Sequence, residues 1–282
     1  MILAIASGKG GTGKTTVSVN LARAIGSDVS LLDCDVEEPN CHLFLKGQSI
    51  RTETVGIPVP QVDESLCTGC GECGRICEYS AIVSFGAKPL LFPDMCHGCG
   101  GCTKVCPTKA ISEVDRRIGV VETLKSGNIT LIQGRLDVGV PMAPPLIRAV
   151  KARLQRGSAA ILDAPPGTSC PVIATIRETD FVALVTEPTP FGLHDLTLAV
   201  DMVHELGILF GVVINRVGVG DERVHEFCRK EGIPILLEIP DDRRIAEAYS
   251  RGELVVDAFP EYQGLFQELY SRVRNLSGGG DR

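Results

Sequence analysis

Apolar residues collect in short runs at 2–6, 29–33, 129–133, 159–163, 181–185, 211–214 and 235–239, most of them closed by Gly, Pro or a polar residue. Continuous runs of this length fit strands buried on both faces. Helical spacing fills 14–25, 145–154, 169–177, 193–205 and 222–231. Strands alternating with helix-length segments predict an α/β domain with a mostly parallel sheet and helices on both faces. The alternation fails between about Pro58 and Asp115, where Cys, Gly and Pro accumulate without a long amphipathic period. The expected organisation is an α/β domain in two pieces, 1–57 and 116–282, around a small insertion at 58–115.

Composition narrows the function classes. The chain has 282 residues, 44% hydrophobic and 22% charged, with a net charge of -7. An acidic balance argues against a surface that coats nucleic acid, which needs Lys and Arg in excess. No run approaches the roughly 20 apolar residues that cross a bilayer. The first apolar run is too short for a signal-peptide core and leads into a glycine-rich loop, so a cytoplasmic location is expected. An amphipathic stretch at 265–273 lacks the basic polar face of a membrane-binding helix and is expected to pack on its own domain rather than attach to a membrane. There are twelve cysteines, and a reducing compartment disfavours structural disulfides. Eight fall in two compact runs, which points to metal.

Those runs form an internal repeat. Cys67-x₂-Cys70-x₂-Cys73-x₃-Cys77 is echoed by Cys96-x₂-Cys99-x₂-Cys102-x₃-Cys106, and the echo continues into Ala81-Ile82 and Ala110-Ile111. This is the bacterial ferredoxin run, in which the fourth cysteine serves the other cluster. Cys67, Cys70, Cys73 and Cys106 are therefore expected to hold one [4Fe–4S] cluster, and Cys96, Cys99, Cys102 and Cys77 a second. Structural zinc usually takes ligand pairs separated by a longer spacer and fits less well. One departure is that Pro107 follows Cys106 whereas Glu78 follows Cys77. His97 reads as a loop residue, and Cys34, Cys41 and Cys228 as ordinary thiols.

The segment Gly8-Lys9-Gly10-Gly11-Thr12-Gly13-Lys14-Thr15-Thr16 lies between a predicted strand and a predicted helix. It satisfies G-x-x-x-x-G-K-[ST], whose backbone amides wrap phosphates while the lysine reaches the terminal phosphates and the hydroxyl ligates Mg²⁺. With Lys9 inside the loop, the segment resembles the deviant phosphate loop of the MinD/ParA/Mrp and nitrogenase iron protein group. In that group the extra lysine reaches the partner's phosphates across a nucleotide-sandwich dimer. Three further segments fit the resemblance. Asp33-Cys34-Asp35 resembles switch I, with Asp35 orienting water and Asp33 supporting it. Asp163-Ala164-Pro165-Pro166-Gly167 resembles the Mg²⁺-holding strand end and switch II, with Gly167 able to donate its amide to the γ-phosphate. Asn215-Arg216 matches the strand end used for adenine.

The resemblance implies ATP/ADP and Mg²⁺ as ligands and ATP hydrolysis as the reaction, with Lys9, Lys14 and Asp35 as catalytic residues. It implies a nucleotide-dependent homodimer, or a heterodimer with a paralogue, and an electron-transfer or metal-cluster protein as partner. The leading expectation is an ATP-gated electron-transfer switch. A cluster carrier, for which Cys170 just past switch II would be essential, is the alternative. A positioning or scaffold ATPase with redox-sensing clusters is the third.

Overall fold

The computed structural model describes residues 1–86, 88–154 and 157–278. Eleven strands and ten helices follow one another along the described residues. The first part is β1 (Ile2–Ala6), α1 (Lys14–Ala24), β2 (Val29–Asp33), a one-turn helix at Cys41–Leu43 and β3 (Gln48–Val62). The cysteine-rich part holds α2 (Glu72–Ile76), β4 (Ile82–Val83), β5 (Leu90–Leu91) and α3 (Gly101–Val105). Next come β6 (Ile111–Ser126), β7 (Ile129–Leu136), α4 (Pro144–Lys151), β8 (Ala159–Asp163), α5 (Cys170–Ile176), β9 (Phe181–Thr186) and α6 (Pro190–Glu205). The chain continues with β10 (Phe210–Val217), α7 (Arg223–Glu231), β11 (Ile235–Pro240), α8 (Arg243–Ser250), α9 (Val255–Ala258) and α10 (Gln263–Leu276).

Nine strands form one sheet in the order β11-β10-β9-β1-β8-β2-β7-β6-β3. β1 pairs in parallel with β8 and β9, β2 with β7 and β8, and β10 with β9 and β11. All five residues of β2 and all six of β9 are buried, as strands covered on both faces must be. Phe181 and Phe266 are the bulkiest fully buried side chains. Phe266, Leu269 and Val273 place the apolar face of α10 in this core, against α1 and β11.

The chain divides into two compact units. One is Met1–Glu53, Val121–Arg135 and Leu146–Arg282, and the other is Thr54–Val120 with Leu136–Pro145. The long strands β3 and β6 each contribute residues to both. These strands, unlike the short apolar ones, were not expected from the hydrophobic pattern. β3 begins with five exposed residues and contains Gly56, Pro58 and Pro60; an edge position tolerates prolines because no neighbour needs the missing amide. α6 also starts earlier than its apolar spacing indicates. Thr189 caps it through Gly192 N, and Pro190 occupies its first turn, a pairing that favours helix initiation.

The second unit has its own small core, in which Cys73, Ile82 and Ile111 pack with Val62, Leu91, Cys77, Cys102 and Cys106. The repeat extends to the backbone. Gly69 and Gly98 have φ of 68° and 66°, Gly71 and Gly100 of 80° and 69°, and Ser80 and Lys109 of 52° and 54°. Two non-glycine residues in the left-handed region at matched positions show that both halves follow one template.

Candidate functional site

Strand register builds the first site. Ile5 of β1 and Asp33 of β2 both lie opposite Asp163 of β8. The carboxyl ends of three central strands therefore open at one level, where open α/β sheets bind ligands. The loop leaving β1 enters α1 through Gly11 and Gly13, at φ 79° and 95°. Helix α1 begins at Lys14 with no side-chain cap and no acidic residue in its first turn. Its first amides are left for an anion. Burial lowers the Lys14 pKa, and the Asp163 and Asp35 carboxylates oppose that shift.

Asp163 is held on both oxygens. Thr15 Oγ1 donates to Oδ2 at 2.7 Å and Ser18 Oγ to Oδ1 at 2.8 Å, while Cys41 Sγ stands 3.5 Å from Oδ2. Asp33 accepts the amides of Asp35, Asn40 and Cys41 at 3.2, 2.9 and 3.0 Å. It thereby folds the segment after β2 back on itself. Ligand atoms of Asp33, Cys41 and Asp163 lie within 4.8 Å of one another, all buried. Burial and the Asp163 charge push Asp33 up to about 7, and burial raises Asp163 as well. Asp35 is pushed up to about 6, by burial first and Asp163 next. Crowded carboxyls of this kind ask for a cation, and a hydroxyl–carboxylate pair beside a phosphate loop is chemistry suited to Mg²⁺.

A cleft of about 390 Å³ opens beside these groups, lined by Gly10, Gly11, Gly13, Lys14, Thr15 and Thr16 from the loop and helix start. Asp35, Pro166, Asn215, Arg216 and, from α8, Tyr249 complete its walls. Asn215 Nδ2 donates to the Thr12 carbonyl at 2.9 Å, and its Oδ1 accepts the Arg216 amide at 3.0 Å. Gly167, at φ 96°, donates its amide to the Ser7 carbonyl at 3.0 Å. Gly8 lies so close to α6 that a Cβ there would fall 2.1 Å from the Asp195 carbonyl oxygen. Lys9 and Arg216 share one carboxylate, that of Glu187 just after β9. The contacts are 3.7 Å to Lys9 Nζ and 2.9 Å to Arg216 Nη1.

Gly13→Ala is expected to disturb this site first. The added Cβ would sit 2.3 Å from Asn215 Nδ2 in a backbone conformation that L residues avoid, at a cost of about 1–2 kcal/mol for the backbone alone. Nucleotide affinity and melting temperature should both fall. Unchanged nucleotide titrations and melting curves would contradict the expectation.

Ser18, Cys41, Glu187 and Tyr249 went unread in the sequence as site residues. Ser18 carried a signal, since it lies three residues after Thr15 on the same helical face. The other three come to the site from loops or helices by tertiary folding alone.

The second site lies in the other unit. Cys67, Cys70 and Cys73 line one cavity with Cys106, which comes from the other half of the repeat. Cys106 Sγ accepts the Ala110 amide at 3.3 Å, and Cys96 Sγ accepts the Gly98 amide at 3.5 Å. None of the eight cysteines of the repeat is in a disulfide. A three-cysteine loop with left-handed glycines, a fourth thiol from the other half, and backbone amides on sulfur together fit a cubane. Cys77, Cys96, Cys99 and Cys102 occupy the repeat-equivalent positions. His97 stacks on Tyr79, with centroids 3.5 Å apart and planes 13° off parallel. Cys170 is exposed at the start of α5, while Cys34, Cys41 and Cys228 are buried. No helix among the described residues is long and apolar enough to cross a membrane.

Comparison with known proteins gives consistent relatives. Protein MJ0579 of Methanocaldococcus jannaschii is 31% identical over 259 residues, which cover 90% of both chains. An iron–sulfur cluster carrier protein of Pyrococcus horikoshii is 23% identical over 308 residues, covering 99% of this chain and 89% of that one. Among solved structures, the septum site-determining protein MinD of Pyrococcus horikoshii, complexed with Mg-ADP, superposes with a TM-score of 0.63 at 23% identity. The match covers 98% of this chain and 97% of that one. The family described as "CobQ/CobB/MinD/ParA nucleotide binding domain" matches residues 3–255. With its phosphate loop between β1 and α1 and the Asp33–Asp163 row beside it, the chain belongs to this nucleotide-binding family.

Proposed function

We propose that the chain is a MgATP-binding and hydrolysing dimeric switch that gates electron transfer from two [4Fe–4S] clusters to a partner protein. The observation that carries this reading is the presence, in one chain, of two built sites. One is a phosphate loop beside a Thr15–Asp163 pair, and the other is a doubled cysteine run with matched backbone angles. Lys14 and the amides at the start of α1 hold the terminal phosphates. Thr15 and Asp163 hold Mg²⁺, with Ser18 fixing the Asp163 carboxylate. Asn215 and Arg216 stand at the base end, and the loop glycines with Thr12 and Thr16 shape the cradle. Asp35 orients the water that attacks the γ-phosphate, giving ADP and phosphate, and Lys9 stabilises the developing charge from across the dimer.

Held by the eight repeat cysteines, the clusters would supply one-electron chemistry. The chain's own contribution is the link between the two sites. Asp33 anchors the segment that holds Asp35, and that segment continues through Cys41–Leu43 into β3 and on to Cys67. Segments ordered by a γ-phosphate are an established switching device.

A second reading is an ATP-dependent cluster carrier, favoured by relatives named iron–sulfur cluster carrier proteins and by the exposure of Cys170. The deciding measurement is an anaerobic redox titration followed by EPR, with and without MgATP. Two retained [4Fe–4S]⁺ signals whose potential or coupling moves with MgATP are expected. Two stable signals indifferent to nucleotide would end the gating idea. Loss of iron to an apo acceptor on ATP addition would favour the carrier.

A further inference from the structure

Tyr249, in the last turn of α8, lines the nucleotide cleft and is 42% exposed. Its ring is braced on Phe44, with centroids 4.8 Å apart and planes at 45°, and Phe44 is itself buried. The Tyr249 hydroxyl makes no hydrogen bond to any described residue. Tyr262 shows the contrast, since its hydroxyl donates to Asp242 Oδ2 at 2.8 Å. A phenol whose ring is fixed and whose hydroxyl faces a cleft without a protein partner offers a donor to whatever the cleft binds.

The place of this wall decides which part of a nucleotide it meets. Ile245 and Tyr249, four residues apart on α8, both line the cleft, so Tyr249 stands about 6 Å farther along the helix than Ile245. That direction leads to the metal end of the cleft. Phe44 follows the one-turn helix that begins at Cys41, and Cys41 Sγ stands 3.5 Å from the Asp163 carboxylate that Thr15 also holds. Gly252, just past α8, closes on the same segment; a Cβ there would fall 2.9 Å from the Leu43 carbonyl oxygen. Asp35 and Glu38 line the cleft as well, and their carboxylates would repel a phosphate chain unless donors face it. Lys14 and the first amides of α1 supply part of that need. Burial first, and the Asp163 charge next, raise the Tyr249 pKa, so the phenol keeps its proton and can supply more.

We propose that Tyr249 is a phosphate-binding residue of the nucleotide site: with its ring held by Phe44, its hydroxyl donates from the α8 side to the polyphosphate that ATP and ADP share. The inference rests on the nucleotide reading above, so its test separates the two. The full chain, isolated anaerobically, would be titrated calorimetrically with MgADP, and magnesium pyrophosphate would be titrated in competition with it. Tyr249→Phe keeps the ring on Phe44 and removes only the oxygen. Loss of a hydrogen bond to a charged acceptor should weaken MgADP and magnesium pyrophosphate alike, each by about 10-fold or more. The melting curve of the nucleotide-free chain should not move, because the hydroxyl supports nothing else in the fold. That pairing separates a ligand contact from a structural role. Affinities of Tyr249→Phe within two-fold of the parent would overturn the inference. So would a loss confined to MgADP, which would put the hydroxyl on the sugar or the base. A parent chain that binds neither MgADP nor MgATP would instead defeat the nucleotide reading, and the inference with it.

Discussion

Lys9→Ala should leave MgATP bound while lowering its hydrolysis by about 10³-fold or more, the range for charge supplied across an interface to a phosphoryl-transfer site. Lys14, Thr15 and the start of α1 are untouched, so affinity should move only a few-fold. Lys9 is 31% exposed, and its only ion pair among the described residues is the 3.7 Å contact with Glu187. A loose pair of this kind is worth little, so Lys9 is free to exchange it for a partner's phosphate. Arg216, at 2.9 Å, still neutralises Glu187 when Lys9 leaves.

Phosphate release, nucleotide titration and light scattering with MgATP read the three quantities. Mixing adds a sharper criterion. Asp35→Ala should also be inactive, yet a one-to-one mixture of the two variants should recover about a quarter of the parent rate, because half the dimers are mixed and each has one complete site. No recovery would mean that Lys9 acts within its own chain.

Cys106→Ala should remove the cluster belonging to the first cysteine run, although Cys106 sits in the second. Iron content should fall from about eight to about four atoms per chain. The cavity shared by Cys67, Cys70, Cys73 and Cys106 carries this expectation. Combining variants decides which set is lost. Cys70→Ala/Cys106→Ala should keep as much iron as either single variant, since both break one site. Cys99→Ala/Cys106→Ala should lose nearly all of it. The reverse pattern would mean that each run closes its own site, and the ligand crossing would be wrong.

How far the sequence could be read depended on the scale of each signal. The phosphate loop, the strands β1, β2, β8, β9 and β10, and the doubled cysteine run are local patterns, with spacing that follows from backbone geometry. The strands β3 and β6 were not legible, because much of their length is exposed and no strict alternation marks them. An edge strand with prolines looks like a loop until its neighbour is known. At the nucleotide site, Lys14, Thr15 and Asp35 fall on the cleft that their motifs imply. Glu187 could not be anticipated, since its place beside Lys9 depends on β9 lying next to β1. Cys41 read as an ordinary thiol; folding brings it to 3.5 Å from Asp163.

Strand order also sets a timetable for synthesis. β2 leaves the ribosome early, yet both its neighbours, β7 and β8, are encoded after the cysteine-rich stretch Thr54–Val120. Domains fold as units while the chain emerges at about 5–20 residues per second, and β2 spends that interval without a partner on either side. All eight repeat cysteines are then outside the ribosome, while Asp163, at the end of β8, has yet to be made. The proposed cluster ligands are therefore all made before the proposed nucleotide site is complete.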